Sequence, residues 1–465
     1  MEAIHTVVDS TIRITDPTEE IRRWCKQNLV LPNPEYNKKA RMGFWTGNTP
    51  ETLSLYEVQG DTWVLPFGLL RPLKGMIDWS KAESGFEAVR DVDYGEPVPL
   101  YDYQQEAVEK ARQGRYGILQ SPAGSGKTQM GIALTKLYGR TTLWLTTTKD
   151  LLKQSKERAE RYMDKSLIGT ITEGKVNIGR GITFATIQTM CKLDLTRYKH
   201  LWDLIIVDEC HHISGSPTTV TMFQKVLNNL SARHKYGLSA TVHRADGMIK
   251  ATYAMIGEVI CSVPEAAVAD KIMKVGIIPV GMPTKITPEC LNPDGTLSYV
   301  KLINALCENP ERNDIITEAI VENRDYSCLI LSDRLAHLET LMNLLPDDMR
   351  SQAVMISGKM TTKREKAARD EAIERMRSGE KKYLFATYNL AREGLDIPCL
   401  ERLFLTTPQK DFAVITQSIG RVARTHDGKA DPIAYDFVDG YIGFLQKAYK
   451  SRLSVYRKNG CYFPE

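Results

Sequence analysis

From Leu100 onward, short apolar runs alternate with amphipathic stretches of helical period, the pattern of a parallel sheet covered by helices. A first set of predicted strands falls at 117–120, 142–146, 182–185, 204–207 and 236–239, and a second at 328–332, 383–386, 402–406 and 433–437. Between the sets, residues 261–314 carry Pro264, Pro279, Pro283, Pro288, Pro293 and Pro310, so the join between two α/β lobes is expected there. The predicted architecture is α/β: two parallel-sheet lobes in tandem, over 99–275 and 276–465, behind a small α+β domain over 1–98. In that first domain, residues 11–14 alternate like a strand, and Asp16-Pro17-Thr18-Glu19 predicts a helix start with Asp16 as N-cap and a buried stripe of Ile21, Trp24, Cys25 and Leu29. Residues 53–58 and 62–65 read as a hairpin around Gln59-Gly60-Asp61. A closing helix is expected over 441–457, packing through Tyr441, Phe444, Leu445, Ala448 and Leu453.

Composition narrows the class. Across 465 residues, 42% hydrophobic and 25% charged content is that of an ordinary globular protein, and a net charge of +4 does not by itself announce nucleic-acid binding. The nine cysteines form no C-x-x-C pair, no apolar run reaches the ~20 residues that span a bilayer, and Met1-Glu2-Ala3-Ile4-His5 lacks the blocks of a signal peptide. A cytoplasmic protein without membrane association is expected. One stretch, Asn37-Lys38-Lys39-Ala40-Arg41-Met42-Gly43-Phe44-Trp45-Thr46-Gly47, mixes basic and aromatic residues. It suits phosphates and bases, but the default reading is a solvated basic turn followed by core aromatics.

The chemistry starts at Gly117-Ile118-Leu119-Gln120-Ser121-Pro122-Ala123-Gly124-Ser125-Gly126-Lys127-Thr128. An apolar strand runs into a small-residue loop, and Lys-Thr opens a helix, the layout of a phosphate-binding loop. Ser121 stands where the pattern has its first glycine. Lys127 is expected to reach the β- and γ-phosphates of ATP, the loop Pro122, Ala123, Gly124, Ser125 and Gly126 to cradle them, and Thr128 to hold Mg²⁺. Further on, Leu204-Ile205-Ile206-Val207 forms a buried strand ending in Asp208-Glu209-Cys210-His211. Carboxylates at that end of an open sheet suit a metal at Asp208 and a water-activating base at Glu209. Cys210-His211-His212 lacks a second ligand pair at metal spacing, so zinc is not predicted. In the second lobe, Gln417, Arg421 and Arg424 are spaced i, i+4 and i+7, which on a helix shares one face and suits charge stabilisation at a γ-phosphate.

Taken in order, these motifs resemble those of superfamily 2 helicases and translocases. Asp208-Glu209-Cys210-His211 resembles motif II, Ser239-Ala240-Thr241 the S-A-T coupling motif, and Thr146-Thr147-Thr148 with Leu151, Leu152 and Gln154 motif Ia. Thr183-Phe184-Ala185-Thr186-Ile187-Gln188 resembles the next strand-tracking motif, the segment from Ala386 and Thr387 through Gly394 and Asp396 to Pro398 motif V, and Gln417 to Arg424 motif VI. The resemblance implies two RecA-like lobes forming an ATP-gated clamp, Gln104 reading adenine, Gly394 and Asp396 near the nucleotide, and arginine fingers at Arg421 and Arg424. It implies nucleic-acid contacts at Thr147, Thr186, Gln188 and Thr387. Cys210-His211 and Gln417 look closer to the DNA-directed branch that contains the phage UvsW helicase and XPB-like proteins than to DEAD-box RNA helicases. That branch implies branched DNA, or duplex with single-stranded regions, as substrate, with an RNA helicase or a duplex-DNA translocase that separates no strands as the alternatives. It also implies action as a monomer in repair, recombination or replication, for instance in a phage-infected cell, with a small N-terminal domain engaging the branch.

Overall fold

The computed structural model describes residues 5–122, 124–240, 247–268, 272–357, 362–392, 395 and 397–464. They divide into two compact units, one running from the N-terminus to Pro264 apart from loop residues 123–125, the other from Glu265 to the C-terminus.

The first unit opens with strands β1 (Thr6–Val8) and β2 (Thr11–Thr15), helix α1 (Glu19–Asn28), β3 (Val30–Pro32), helix α2 (Pro34–Arg41), β4 (Thr52–Ser54), β5 (Glu57–Gln59), β6 (Thr62–Pro66) and β7 (Glu83–Ser84). Five of these strands make a sheet in the order β5-β6-β2-β1-β7, and β3 pairs with β4 alone. The cap of α1 differs from expectation: Thr18 accepts from the Ile21 N–H, while Asp16 stands in left-handed backbone at φ 45° and its carboxylate pairs with Arg22. Ile21, Cys25 and Leu29 are buried as the pattern requires, with Trp24 half-buried. The expected strand 53–58 is split, because Leu53 pairs with Leu31 in the small β3–β4 ribbon and only Glu57–Gln59 forms the hairpin with β6.

This domain is seated firmly on the sheet that follows. A Cβ on Gly68 would come within 2.4 Å of the Tyr253 carbonyl and 2.5 Å of the Gly257 nitrogen, so only glycine permits that backbone approach. Arg71 lies over the Tyr116 ring at 4.5 Å and donates to the Gly114 carbonyl at 2.6 Å. Lys235 is fully buried, donating to the carbonyls of Ser10 and Leu227 at 2.9 Å each, with its ammonium 4.7 Å from the Phe67 ring centre. Burial brings its pKa down to about 7, opposed by the Asp9 carboxylate.

The phosphate-loop lobe continues the same unit with helix α3 (Asp102–Gly114), β8 (Gly117–Gln120), helix α4 (Lys127–Tyr138), β9 (Thr142–Thr146), β10 (Ile168–Thr172), β11 (Lys175–Asn177), β12 (Ile182–Thr186), β13 (Leu204–Asp208), β14 (His234–Ser239) and β15 (Val259–Ser262). The sheet order is β11-β10-β12-β9-β13-β14-β8-β15, parallel except between β10 and β11. Strands β8, β9, β12 and β13 are buried along most of their length, which makes them near-continuous apolar runs in sequence. The strands absent from the sequence prediction lie toward the margins of the sheet, where β11 is wholly exposed and β10 alternates with partly exposed positions.

In the second unit, β16 (Gly276–Gly281), β17 (Cys328–Ser332), β18 (Ala353–Ile356), β19 (Tyr383–Thr387), β20 (Arg402–Leu405) and β21 (Ile433–Val438) form an all-parallel sheet in the order β16-β21-β20-β17-β19-β18. The unpredicted strands are again the two edges, and β16 carries Pro279, which an edge tolerates because one side of the strand needs no donor. The architecture is thus α/β with two RecA-like lobes and a small N-terminal sheet domain. The closing helix, Gly443–Lys458, corrects one expectation: Leu445, Ala448, Val455 and Tyr456 are buried, whereas Tyr441 and Phe444 are exposed. Arg452 is buried instead, donating to both Asp436 oxygens at 2.8 and 2.9 Å beside the Tyr456 hydroxyl at 2.6 Å.

Candidate functional site

Register brings three motifs to one edge of the first sheet. Gln120 at the end of β8 pairs with Ser239 of β14, and Leu238 pairs with Asp208 of β13. The phosphate loop therefore leaves the sheet two strands from the acidic pair. Gly124 and Gly126 both take φ +81°, and Gly126 is the N-cap of α4, so backbone N–H groups of the turn face outward at a helix N-terminus. Ser125 is buried, Pro122 and Thr128 are half-buried, and Ala123 lies outside the described residues. The Lys127 ammonium donates to the Ser121 and Pro122 carbonyls at 3.3 Å each, folding back along its own loop. Gln104 is buried on α3, accepting from the Tyr101 N–H at 3.0 Å, and a Cβ on Gly126 would fall 2.4 Å from its Nε2. The amide proposed to read a base thus packs against the turn proposed to bind phosphate.

The acidic pair is built with strain and burial. Glu209 stands in left-handed backbone at φ +48°, a conformation costing about 1–2 kcal/mol for a residue with a side chain. Asp208 is buried, accepting from Ser155 Oγ at 2.9 Å and from the Glu209 N–H at 3.0 Å. Burial, and then the neighbouring Glu209 charge, push the Asp208 carboxyl above the usual range. Burial also works to raise Glu209, but Lys127 and the nearby His211 and His212 outweigh it and hold that carboxyl well below the usual range. Its Oε2 is buried and lies 3.3 Å from His211 Nδ1, its nearest ionic neighbour among the described residues. A buried Asp208 carboxylate next to the half-buried Glu209 carboxylate fits a divalent cation, which Asp208 and Thr128 could hold.

His211 does what sequence reasoning did not foresee. Its Nδ1 lies 3.0 Å from the buried Ser239 hydroxyl, joining the acidic motif to the Ser239-Ala240 segment. Cys210 is core, its sulfur filling the space over Gly237, where a Cβ would fall 2.6 Å away. Ala240 is half-buried, and Thr241 lies outside the described residues. Ser155, the hydroxyl on Asp208, was equally unforeseen, since nothing in its sequence context distinguishes it from other helix serines.

The four residues expected to touch nucleic acid are placed unevenly. Gln188 is exposed and donates to the Thr147 carbonyl at 2.8 Å, tying the two tracking motifs together. The Thr147 hydroxyl is buried with no partner among the described residues. Thr186 is buried and donates to Thr189 Oγ1 at 2.9 Å, so its hydroxyl is spent inside the lobe. Thr387 is half-buried at the end of β19, in register with Ser332 of β17.

In the second unit, the expected single helical face is not what forms. The helix Phe412–Val422 carries Gln417 and Arg421 but stops before Arg424, which pairs with Ile272 in an antiparallel bridge. Gln417 Oε1 is buried without a partner among the described residues, and Arg421 donates to the Leu395 carbonyl at 3.0 Å. Lys429 holds the end of this segment: its ammonium donates to the carbonyls of Pro398, Val422 and Arg424 at 3.1, 2.7 and 2.7 Å. Cations belong at a helix C-terminus, where carbonyls lack partners. Gly394 and Asp396 lie outside the described residues. No helix among the described residues is long and apolar enough to cross a membrane.

Two tandem parallel-sheet lobes, the first with a strand–loop–helix phosphate turn and an acidic strand end, define the RecA-like class of helicase core. Comparison with known proteins sharpens this. Residues 97–244 match the family described as type III restriction enzyme, res subunit, and residues 311–426 match the helicase conserved C-terminal domain. A protein of Acanthamoeba polyphaga mimivirus named "Putative ATP-dependent RNA helicase" is 27% identical over 83% of this chain and 72% of its own length. The DNA 3'-5' translocase XPB2 of Sulfurisphaera tokodaii is 24% identical over 72% of this chain and 80% of its own. Among solved structures, S. cerevisiae Dbp5 bound to RNA and ADP BeF3 superposes with a TM-score of 0.52 at 17% identity, over 78% of this chain and 92% of that one. The two matched domains stand in helicase order and together span more than half of the chain, which belongs to superfamily 2 of the helicases. Family membership implies ATP hydrolysis coupled to work on nucleic acid.

Proposed function

We propose that this chain is an ATP-dependent DNA helicase or translocase that remodels branched DNA such as forks, junctions or R-loops. The observation that carries the ATPase half is buried Asp208 beside Glu209 in left-handed backbone, at the end of a strand two away from the one that feeds Gly126 and Lys127. Support for DNA comes from Cys210-His211 and Gln417, which depart from the DEAD-box pattern, and from the likeness to an archaeal DNA translocase. The likeness to a protein named as an RNA helicase makes RNA the second reading.

In this proposal the lobes lie over 99–275 and 276–465, and residues 122–128 bind the triphosphate with Lys127 turning from its own carbonyls to the β- and γ-phosphates. Asp208 and Thr128 would hold Mg²⁺, which would supply neutralisation of phosphate charge. Glu209, kept ionised by Lys127 and the histidines, orients the attacking water and takes its proton. Gln104 contacts adenine, while Gln417, Arg421 and Arg424 serve the γ-phosphate, with Arg424 held in place by Lys429 through its backbone. Ser239, Ala240 and Thr241 carry the state of the acidic motif onward, through the His211–Ser239 hydrogen bond. Thr147, Gln188 and Thr387 meet the phosphate backbone; Thr186 supports them from inside. The protein acts as a monomer.

The test is ATP hydrolysis measured with single-stranded, duplex and forked DNA and with RNA, alongside strand displacement on the same substrates. Forked DNA is expected to stimulate most. Lys127→Ala is expected to abolish turnover in every arm. Retained turnover in that variant overturns the site, and stimulation by RNA alone overturns the substrate.

A further inference from the structure

The loop after α2 holds large rings outside the core. Trp45 is 87% exposed, Phe44 64% and Met42 56%, where the sequence pattern leads one to expect buried aromatics. The loop is nonetheless built. Asn33 caps α2 by accepting from the Glu35 N–H at 3.0 Å and donates to the Pro50 carbonyl at 2.7 Å, closing the base of the loop. Lys39 donates to Thr49 Oγ1 at 2.8 Å, and the Phe44 N–H donates to the Lys39 carbonyl at 2.9 Å. The Trp45 ring lies across Gly47: a Cβ there would fall 2.7 Å from Cζ3 and 2.9 Å from Cη2, and Gly47 stands at φ +50°. Three carbons of the indole's six-membered ring thus lie against Gly47, while most of the side chain is open to solvent.

Cations precede these rings on α2. Lys39 is paired with Glu35 at 3.0 Å, whereas Lys38 and Arg41 are exposed with no carboxylate partner among the described residues. Exposed aromatic rings following unneutralised cations are what an unpaired nucleic-acid strand requires: every base has a face to stack and every nucleotide a phosphate to neutralise. An apolar protein partner would be met by a patch without that charge. The domain is seated on the phosphate-loop lobe through Gly68, Arg71 and Lys235, so the platform moves with that lobe.

We infer that Trp45 and Phe44 form a stacking platform for unpaired bases of a DNA branch, with Lys38 and Arg41 holding the flanking phosphates. This rests on the proposed function and adds to it a site that selects DNA with an unpaired arm. The test uses the full-length chain without ATP and measures affinity for forked DNA with single-stranded arms, for the same fork with an abasic arm, for blunt duplex and for single-stranded RNA. The wild-type protein is expected to bind the abasic fork more weakly than the intact fork. Trp45→Ala is expected to weaken intact-fork binding by roughly tenfold, the scale of one lost stacked base, while leaving abasic-fork binding where it was. Trp45→Phe is expected to recover most of the loss, and Lys38→Ala with Arg41→Ala to lower the salt dependence on every substrate. Thermal unfolding of each variant checks that the fold persists. Equal loss of fork and duplex binding, equal affinity of wild type for intact and abasic forks, or a Trp45 effect seen only with RNA each overturns the platform. If forked DNA stimulates ATP hydrolysis while the platform variants bind it like wild type, only the platform fails. Absence of any DNA stimulation in the wild type defeats the proposed function first.

Discussion

The His211–Ser239 pair shows how a single hydrogen bond can join two motifs that chain order keeps apart. Ser239 is buried, its backbone carbonyl accepts from the Ser121 N–H at 2.9 Å, and its hydroxyl lies 3.0 Å from His211. One residue thus touches the start of the phosphate loop and the acidic motif. Ser239→Ala removes the hydroxyl link and leaves the β14 backbone as it is. The expected outcome is a several-fold fall in strands displaced per ATP hydrolysed, measured by running both assays on one reaction. An unchanged ratio would show that the hydroxyl is only filling space. Glu209 was identifiable from its place after four apolar residues, but its left-handed backbone was not, because a φ of +48° is imposed by the turn into 210–214 rather than by the residue type.

At the scale of elements, the helix opening at Lys127 depends on a turn that a side chain would disrupt. Gly126 combines φ +81° with the nearby Gln104 amide, and its replacement by alanine adds backbone strain of about 1–2 kcal/mol beside a crowded Nε2. Gly126→Ala is therefore expected to weaken nucleotide binding by about tenfold, read by titration with a fluorescent ATP analogue, with far-UV circular dichroism unchanged. Equal affinity would mean that the turn relaxes freely. The helix carrying Gln417 and Arg421 illustrates the limit of spacing arguments. An i, i+4, i+7 pattern predicts one face, yet the helix ends at Val422 and Arg424 turns into a bridge with Ile272. Lys429 donates to the Val422 and Arg424 carbonyls, and that tertiary capping decides where the helix stops.

For the molecule as a whole, Lys235 fastens the N-terminal domain to the phosphate-loop lobe and makes their union sensitive to pH. Its pKa is about 7 in the folded protein, against about 10.4 for an unstructured lysine. Between those values the unfolded chain binds the proton and the folded chain does not, so this group's contribution to stability rises with pH through that window. Lys235→Met abolishes the contribution. The unfolding temperature of wild type minus that of the variant is expected to rise from pH 7 to pH 9, and a constant value would show that the buried amine keeps its ordinary pKa. The N-terminal domain was legible as a small α+β module through Ile21, Cys25 and the 59–62 hairpin, but not its attachment, which depends on Gly68, Arg71 and Lys235 meeting partners far away in sequence.

By itself the sequence determined the two α/β lobes, the central strands of each sheet, the phosphate loop and the acidic strand end. Those features follow from local rules: buried parallel strands need continuous apolar runs, and a phosphate turn needs glycine at left-handed positions. Tertiary structure alone decided the edge strands, the end of the helix before Arg424, the bond from His211 to Ser239 and the exposure of Phe44 and Trp45. An edge strand is half-solvated and loses its apolar signature, and a hydrogen bond between residues 28 apart leaves no periodic trace. Whether a ring is core or surface depends on what packs over it, and composition is silent on that.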